Sequence, residues 1–499
     1  MKTSLPPRTL ADKVLGCWIG KCIGGAAGMP YEGVAGPTAI PLPQPRQVVN
    51  VPNDDLDLQL LWLVAAERVG PAITSAEIGE AFLRGVPYFP DEYGVANWNM
   101  RRGILPPLSG LHNNAFTRGM GSAIRSEIWA CLSPLRPRWA AWHAAQDARV
   151  DHAGEGVLAE VFLAAAQSAA FALPTAEAAL RAGLRLLPPG SELAAAVRFA
   201  LDTRRRGMAF DEALRAFSLS HGSPNWTDCV MNVGIVALCL LHGNGDFDRT
   251  LALTLRAGQD TDCTAATACA TLGILKGTRG IPRRWRDRFG GEIAIHPEMT
   301  HHGFPDSVEE LTRRTLVLAG RFADAHARRP APALPPVNPR DPIDDRNGWL
   351  VAPGEAGRAA ILRAEEEGRG PARLRHSFPG VHLDLDPWCR KGPDTLHLLT
   401  WLVAPRAVRG QLMVCAGTGV AAWLGGRSMV NQYGRRPPIP VFHRTEGGGT
   451  VPVTLPARRP VPLRIHLLQP RAPQRVTAVV GDDACRYIVG LRYQASAKG

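Results

Sequence analysis

Between residues 10 and 30 glycine recurs at Gly16, Gly20 and Gly24, four apart in an otherwise helix-compatible stretch. That spacing places all three on one face of a helix. A face without side chains lets a second helix come unusually close, because interaxial distance is set by the residues at the contact. The stretch therefore predicts a helix central to an all-α core, ending at Gly28-Met29-Pro30 and delivering Glu32 just past its end. Taken alone, Glu32 is equally what a solvated loop acid looks like.

Two acidic clusters come next. Asn53-Asp54-Asp55-Leu56-Asp57 opens an apolar helix whose Leu56, Leu60, Leu63 and Val64 keep helical spacing, with Asn53 as N-cap. Asp260-Thr261-Asp262-Cys263 stands at the mouth of a helix of small residues. Acids in a first turn are ordinary capping and complement the macrodipole, yet each cluster carries more carboxylates than a cap uses. Hard divalent cations such as Mg2+ take oxygen ligands and keep several waters, so a few carboxylates with an amide or hydroxyl suffice. The two clusters read together as halves of one metal site.

Charge and cysteine content narrow the function classes. The formal net charge of +12 suits an anionic ligand, but the basic residues are mostly dispersed arginines. The longest run, Arg204 to Arg206, closes a helix, where cations are favoured anyway, so no specific nucleic-acid surface is expected. Ten cysteines show no CxxC pair and no Cys/His zinc spacing, which reads as reduced core thiol. The apolar run Val14 to Met29 is interrupted by Lys21, which argues against a signal peptide, and no run reaches the length of a membrane span. A cytoplasmic protein with no membrane partner is expected.

Residues 86–118 combine Tyr88-Phe89-Pro90, Asn97-Trp98-Asn99, Pro106-Pro107 and Asn113-Asn114, and predict a long irregular loop of the functional kind. It leads into Gly119-Met120-Gly121 and Arg125, where backbone amides at a helix start can hold a phosphate; a plain turn explains the same residues. Helices are predicted over 138–149, 153–172, 175–187, 190–206, 209–220, 227–241, 246–257, 262–276 and 306–325. His152, after Asp151, fits a cap or surface position as well as a switchable imidazole at a ligand, and Trp226 and Asn232 default to packing. Prolines crowd residues 327–343. Beyond them, Val381–Leu385, Thr395–Val403, Gly410–Ala416 and Val461–Leu468 alternate like strands between Gly and Pro turns, and Val420–Val430 reads as a hairpin. The expected organisation is an all-α domain over 1–327, a Pro-rich linker over 328–343 and a small β-sandwich domain over 344–499.

Taken in order, Gly24-Gly25-Ala26-Ala27-Gly28-Met29-Pro30-Tyr31-Glu32, Asn53-Asp54-Asp55, Gly119 to Arg125, His152, Asp260-Thr261-Asp262-Cys263, and Ile281-Pro282 with Trp285 resemble the ADP-ribosylglycohydrolase family. The resemblance spans about residues 10 to 325 and falls on a subgroup with an Asp-Thr-Asp-Cys motif and an appended β-domain. It implies an all-α hydrolase with two Mg2+ ions acting on a small-molecule or protein-linked ADP-ribosyl or ribosyl substrate. Asn53, Asp54, Asp55, Asp260, Asp262 and Cys263 fall on the metal positions. Glu32, Asp54 and Asp55 fall on the catalytic acids, and Gly119, Gly121, Arg125 and His152 on substrate contacts. The chain departs from the family's pattern at Gly25, Asn53, Leu56, Met120 and Cys263. Two other readings stand beside this one: hydrolysis of another nucleoside or glycosidic bond, and a non-catalytic nucleotide- or metal-binding module.

Overall fold

The computed structural model describes residues 5–86, 91–434, 439–442 and 450–498. The chain divides into two units, one made of Met1–Pro87, Leu105–Leu111 and Thr117–Pro339, the other of Tyr88–Ile104, His112–Phe116 and Arg340–Gly499. The helices up to residue 327 are α1 (Pro7–Gly28), α2 (Asp54–Val69), α3 (Ser75–Gly85), α4 (Asp91–Arg101), α5 (Ser126–Leu132), α6 (Pro137–Ala148), α7 (Glu155–Ala170), α8 (Ala176–Leu184), α9 (Glu192–Arg205), α10 (Phe210–His221), α11 (Cys229–Gly243), α12 (Phe247–Ala257), α13 (Thr261–Lys276), α14 (Arg283–Phe289) and α15 (Val308–Ala327). Of these, α4 belongs to the second unit. Two short strands, β1 (Val34–Ala35) and β2 (Gly258–Gln259), pair antiparallel.

The first unit is organised around α1 and α13, which run antiparallel in close contact. A Cβ added at Gly16, Gly20, Gly24 or Gly28 would lie 2.8, 2.4, 2.2 or 2.3 Å from the carbonyl oxygens of Gly273, Cys269, Ala265 and Thr261. The four-residue glycine repeat on α1 is thus met by a four-residue repeat of partners on α13. The helices expected between residues 138 and 276 form within three residues of their expected ends, because their apolar periodicity and Ala content agree with the fold.

A second buried feature of this unit carries a pH dependence. His143 on α6 and His326 on α15 place their Nε2 atoms 3.3 Å apart, and Trp139 stacks on His326 with ring centroids 4.0 Å apart. Burial, helped by Arg136 and Arg329, lowers His326 to about 4, and burial beside His326 and Arg329 also pushes His143 below the ordinary value. Between pH 6.5 and 4 the unfolded chain binds more protons than the folded one, so this contribution to stability is full above 6.5 and falls on acidification. The expected loss is roughly 3 kcal/mol, at about 1.36 kcal/mol per unit for His326. Urea melts at pH 7 and pH 4.5 should show it, and the double variant His143→Phe/His326→Phe should have a flatter acid limb. An unchanged limb in that variant would assign the acid sensitivity elsewhere.

The expected loop over 86–118 needs correction. Residues 87–90 lie outside those described, and 91–101 form α4. Asp91 and Glu92 begin this helix, and its apolar side is covered: Val95 clusters with Phe116, Ile439 and Val441. Tertiary burial overrides the weak helix propensity of Tyr93-Gly94-Val95-Ala96-Asn97. His112 joins the same unit through Asp341, with Nδ1 2.8 Å from Oδ2.

The rest of the second unit is β3 (Arg346–Pro353), α16 (Gly354–Glu367), β4 (Arg375–Pro379), β5 (His382–Asp384), α17 (Asp386–Cys389), β6 (Thr395–Val403), β7 (Val408–Ala416), β8 (Gly419–Leu424), β9 (Arg427–Gln432), β10 (Thr450–Leu455), β11 (Val461–Leu468), β12 (Arg475–Asp482) and β13 (Arg492–Gln494). One antiparallel sheet has the order β4-β3-β6-β11-β8-β9, with β13 also on β6, and the other the order β10-β7-β12-β5. Leu398, Leu412, Ile465 and Val479, from both sheets, share one core, as a β-sandwich requires. The outer face of the larger sheet is covered by α16 through Ile361 and Ala364 on Leu350, Leu399 and Trp401. This helix was not expected among the strands. Its signal was the Ala/Glu/Arg-rich run ending at Gly368, a left-handed C-cap.

Candidate metal centre

Close packing of α1 on α13 sets where the acids go. It lays the N-terminus of α13, with Asp260 and Asp262, beside the end of α1. The chain then turns through Met29–Tyr31 and enters β1, whose pairing with β2 matches Val34 with Gln259 and Ala35 with Gly258. Gly33 N–H donates to the Gln259 carbonyl at 2.9 Å, so Glu32 is carried alongside Asp260. Gln259 adopts φ +68°, a left-handed conformation that side-chain-bearing residues rarely take. Asn232 on α11 accepts the Asp260 N–H at 3.4 Å, so a residue assigned to packing holds the second cluster in place.

The first cluster arrives from α2. Asn53 caps that helix, its Oδ1 accepting from Asp55 N–H at 2.7 Å, and its Nδ2 donates to Asp262 Oδ2 at 3.4 Å. One residue thus serves as a cap and ties the two clusters together. Gly25 makes room for it, since a Cβ there would lie 3.1 Å from Asn53 Nδ2. The helices α2 and α13 point their N-termini at one place, where their dipoles favour anionic groups.

Two triads of candidate ligand atoms result. Glu32, Asp260 and Asp262 bring one oxygen each within 4.8 Å of one another; so do Asp55 and Asp262 with the Cys263 sulfur. Asp262 belongs to both. Asp55 is 1 % and Asp262 4 % exposed, while Glu32 is open to solvent. Asp55 Oδ2 and Asp262 Oδ1 are buried without a hydrogen-bond partner among the described residues. A buried carboxylate oxygen left unsatisfied is costly, and a cation is the group that would satisfy several at once. The donor set of carboxylates therefore fits a divalent ion. Burial raises Asp260 to about 8 against the lowering effect of hydrogen bonds from Cys263 and Asp262, with Glu32 and Asp55 adding to the rise. Burial and the charges of Asp260, Asp55, Glu32 and Asp54 push Asp262 up as well. Asp54 is half-buried and lies outside both triads. Asp57, buried on the same helix, turns to the His296 ring and backbone N–H instead.

Beneath Asp55 lies a residue the sequence reading passed over. Lys21 is 1 % exposed, and its Nζ donates to Asp55 Oδ1 and to the Ile124 carbonyl, both at 2.8 Å, while lying 3.3 Å from Glu127. Burial alone would lower its pKa, but Asp55 and Glu127 outweigh burial and hold it above the ordinary lysine value. A cation inside an apolar first helix, flanked by Gly20 and Gly24, was the available signal. Lys21→Met should cost about 3–5 kcal/mol by leaving two carboxylates buried and uncompensated. A urea midpoint close to wild type would mean the pair contributes nothing.

The residues expected at the substrate occupy a neighbouring region of the same unit. Gly119 and Gly121 are buried on the turn leading to α5. Arg125 is fully buried, and its guanidinium meets Asp151 Oδ2 at 2.7 Å and Asp147 at 2.9 Å. Asp151 then holds His152 through Nδ1 at 2.7 Å. Gly110 and Gly156 close over this histidine, as a Cβ on either would lie 2.5 Å or 2.9 Å from its backbone or ring. At the C-terminal end of α1, a cavity of about 550 Å³ is lined by Ala26, Met29, Tyr31, Pro43, Val49 and Val51.

A family model described as ADP-ribosylglycohydrolase matches residues 6–328. Among solved structures, one described as an ADP-ribosylglycohydrolase-related protein complex is 20 % identical, covering 63 % of this chain and 99 % of that one, with a TM-score of 0.42. A β-glucosidase from Kluyveromyces marxianus in complex with glucose is 11 % identical over 27 % of this chain and 15 % of that one, with a TM-score of 0.19. An anti-sigma factor domain-containing protein is 11 % identical over 34 % and 52 %, with a TM-score of 0.18. No curated protein matches the chain.

Proposed function

The chain belongs to the ADP-ribosylglycohydrolase family, and from that premise we propose that it is a Mg2+-dependent hydrolase cleaving the glycosidic bond at the anomeric carbon of an ADP-ribosyl or ribosyl group. The observation that carries this reading is the meeting of Glu32, Asp55, Asp260 and Asp262 from remote segments, with Asp55 Oδ2 and Asp262 Oδ1 buried and without a hydrogen-bond partner among the described residues.

Asp55, Asp260 and Asp262 would hold two ions, with Asp54 at the edge and Asn53 and Cys263 beside them. Bound Mg2+ supplies Lewis-acid charge that orients substrate oxygens and lowers the pKa of water. Glu32, exposed while Asp260 and Asp262 are buried, would accept a proton from the attacking water, with Asp54 and Asp55 as the alternative carboxylates for that role. Glycosidic cleavage passes through an oxocarbenium-like transition state. Gly119 and Gly121 offer backbone approach to a diphosphate. His152, held through Nδ1 by Asp151 and at one remove by Arg125, has its ring orientation fixed before substrate arrives. The cytoplasm is the proposed location.

The test is a panel of O- and N-linked ADP-ribosyl conjugates together with a ribonucleoside, each incubated with and without Mg2+. Mg2+-dependent release of ADP-ribose is the expected result. Release of free base alone would transfer the assignment to nucleoside hydrolysis. A metal-loaded protein that cleaves none of them would make the chain a binding module.

A further inference from the structure

We propose that the two triads are chemically different metal positions: Glu32/Asp260/Asp262 takes a hard, oxygen-seeking ion, and Asp55/Asp262/Cys263 takes a thiophilic divalent ion of the Zn2+, Fe2+ or Co2+ class. This rests on the metal-site reading above and concerns which ion each position selects.

The donor atoms are the reason. The first triad offers only carboxylate oxygens, the set that Mg2+ accepts. The second offers two carboxylates and a sulfur. Mg2+ parts reluctantly with water and gains little from a soft donor, whereas zinc and its neighbours take Cys, Asp and Glu together. In that position each acid has one oxygen committed and one unclaimed. Asp55 Oδ1 is held by Lys21 at 2.8 Å, and Asp262 Oδ2 by Asn53 at 3.4 Å. Their other oxygens, Asp55 Oδ2 and Asp262 Oδ1, are buried with no hydrogen-bond partner among the described residues.

Cys263 is set apart from the remaining thiols by the same criterion. Among the described residues no other cysteine enters a group of three candidate ligands, and Cys17, Cys239 and Cys269 are fully buried in helix interiors. Cys263 instead occupies the first turn of α13, the turn that also carries Asp262. On binding, the thiol gives up its proton to solvent and the sulfur donates an electron pair to the ion, so association releases protons.

The experiment uses the full chain stripped of metal and titrated separately with Co2+, Zn2+ and Mg2+, without substrate. Expected are a near-ultraviolet sulfur-to-cobalt charge-transfer band saturating at one Co2+ per chain, its absence in Cys263→Ser, and Zn2+ binding at least about tenfold weaker in that variant, a loss that even outer-shell partners can carry. Mg2+ affinity at the Glu32/Asp260/Asp262 position should be unchanged in the variant. Thermal melts of the metal-free forms show whether Cys263→Ser folds, and Cys263→Thr serves in its place if it does not. A wild-type protein that binds Co2+ without the band, or a band that survives in Cys263→Ser, overturns the assignment. Mg2+-dependent turnover without the band would overturn it while leaving the hydrolase reading intact.

Discussion

Asp262→Asn should abolish metal binding and reduce turnover of the true substrate at least about a thousandfold, roughly 4 kcal/mol of transition-state stabilisation. The effect should exceed that of any other single acid, because Asp262 is the member shared by both triads. The substitution keeps the volume and removes only a ligating charge. It also has an opposite effect on the metal-free fold. Asp262 is buried against the charges of Asp260, Asp55, Glu32 and Asp54, so the metal-free variant should melt no lower than wild type. Calorimetry with Mg2+, a turnover assay, and thermal melts in a chelator make the three comparisons. A variant that kept both metal binding and turnover would end the proposed mechanism. One that lost activity only because it unfolded would show up in the melts.

Gly24→Ala should destabilise the protein by more than about 4 kcal/mol, the range in which named packing faults are diagnostic. The new Cβ would stand 2.2 Å from the Ala265 carbonyl oxygen and 2.4 Å from its carbon, against backbone in the middle of a helix that cannot rotate aside. The two helices must separate, and with them Glu32 leaves Asp260. Gly320→Ala is the matched control. It lies in α15, exposed, with nothing within 4 Å of the added atom. There the same chemistry should stabilise by about 0.5–1 kcal/mol, since alanine loses less conformational freedom in a helix. Urea denaturation of both variants decides the matter, and equal midpoints would refute the packing argument.

The parts of the site legible in the sequence were those written in local pattern. Gly16, Gly20 and Gly24 announced a close helix contact, and the acids of 53–57 and 260–262 announced themselves by exceeding the needs of a cap. Other parts had no local mark. Lys21 reads as an interruption in an apolar run until its partners Asp55, Glu127 and the Ile124 carbonyl are seen around it. Arg125 sits in a phosphate-like context in sequence, and only the arrival of Asp147 and Asp151 shows where its charge is spent. Asn232 looked like packing and holds Asp260. The residues around α4 read as loop because nothing nearby in sequence supplies the apolar surface of Ile439 and Val441.

By itself the sequence determined periodicity, and periodicity decides which residues form helices and strands and which face each turns inward, because side-chain direction repeats with the backbone. It also determined the kinds of donor available. Tertiary structure alone decided which donors meet: the approach of α1 to α13, the pairing of β1 with β2, and the capping of α2 by an asparagine that reaches Asp262. The physical reason is range. A helix is stabilised by contacts four residues apart, whereas a metal site is stabilised by charges more than two hundred residues apart, and their distance is fixed only when the core between them has closed.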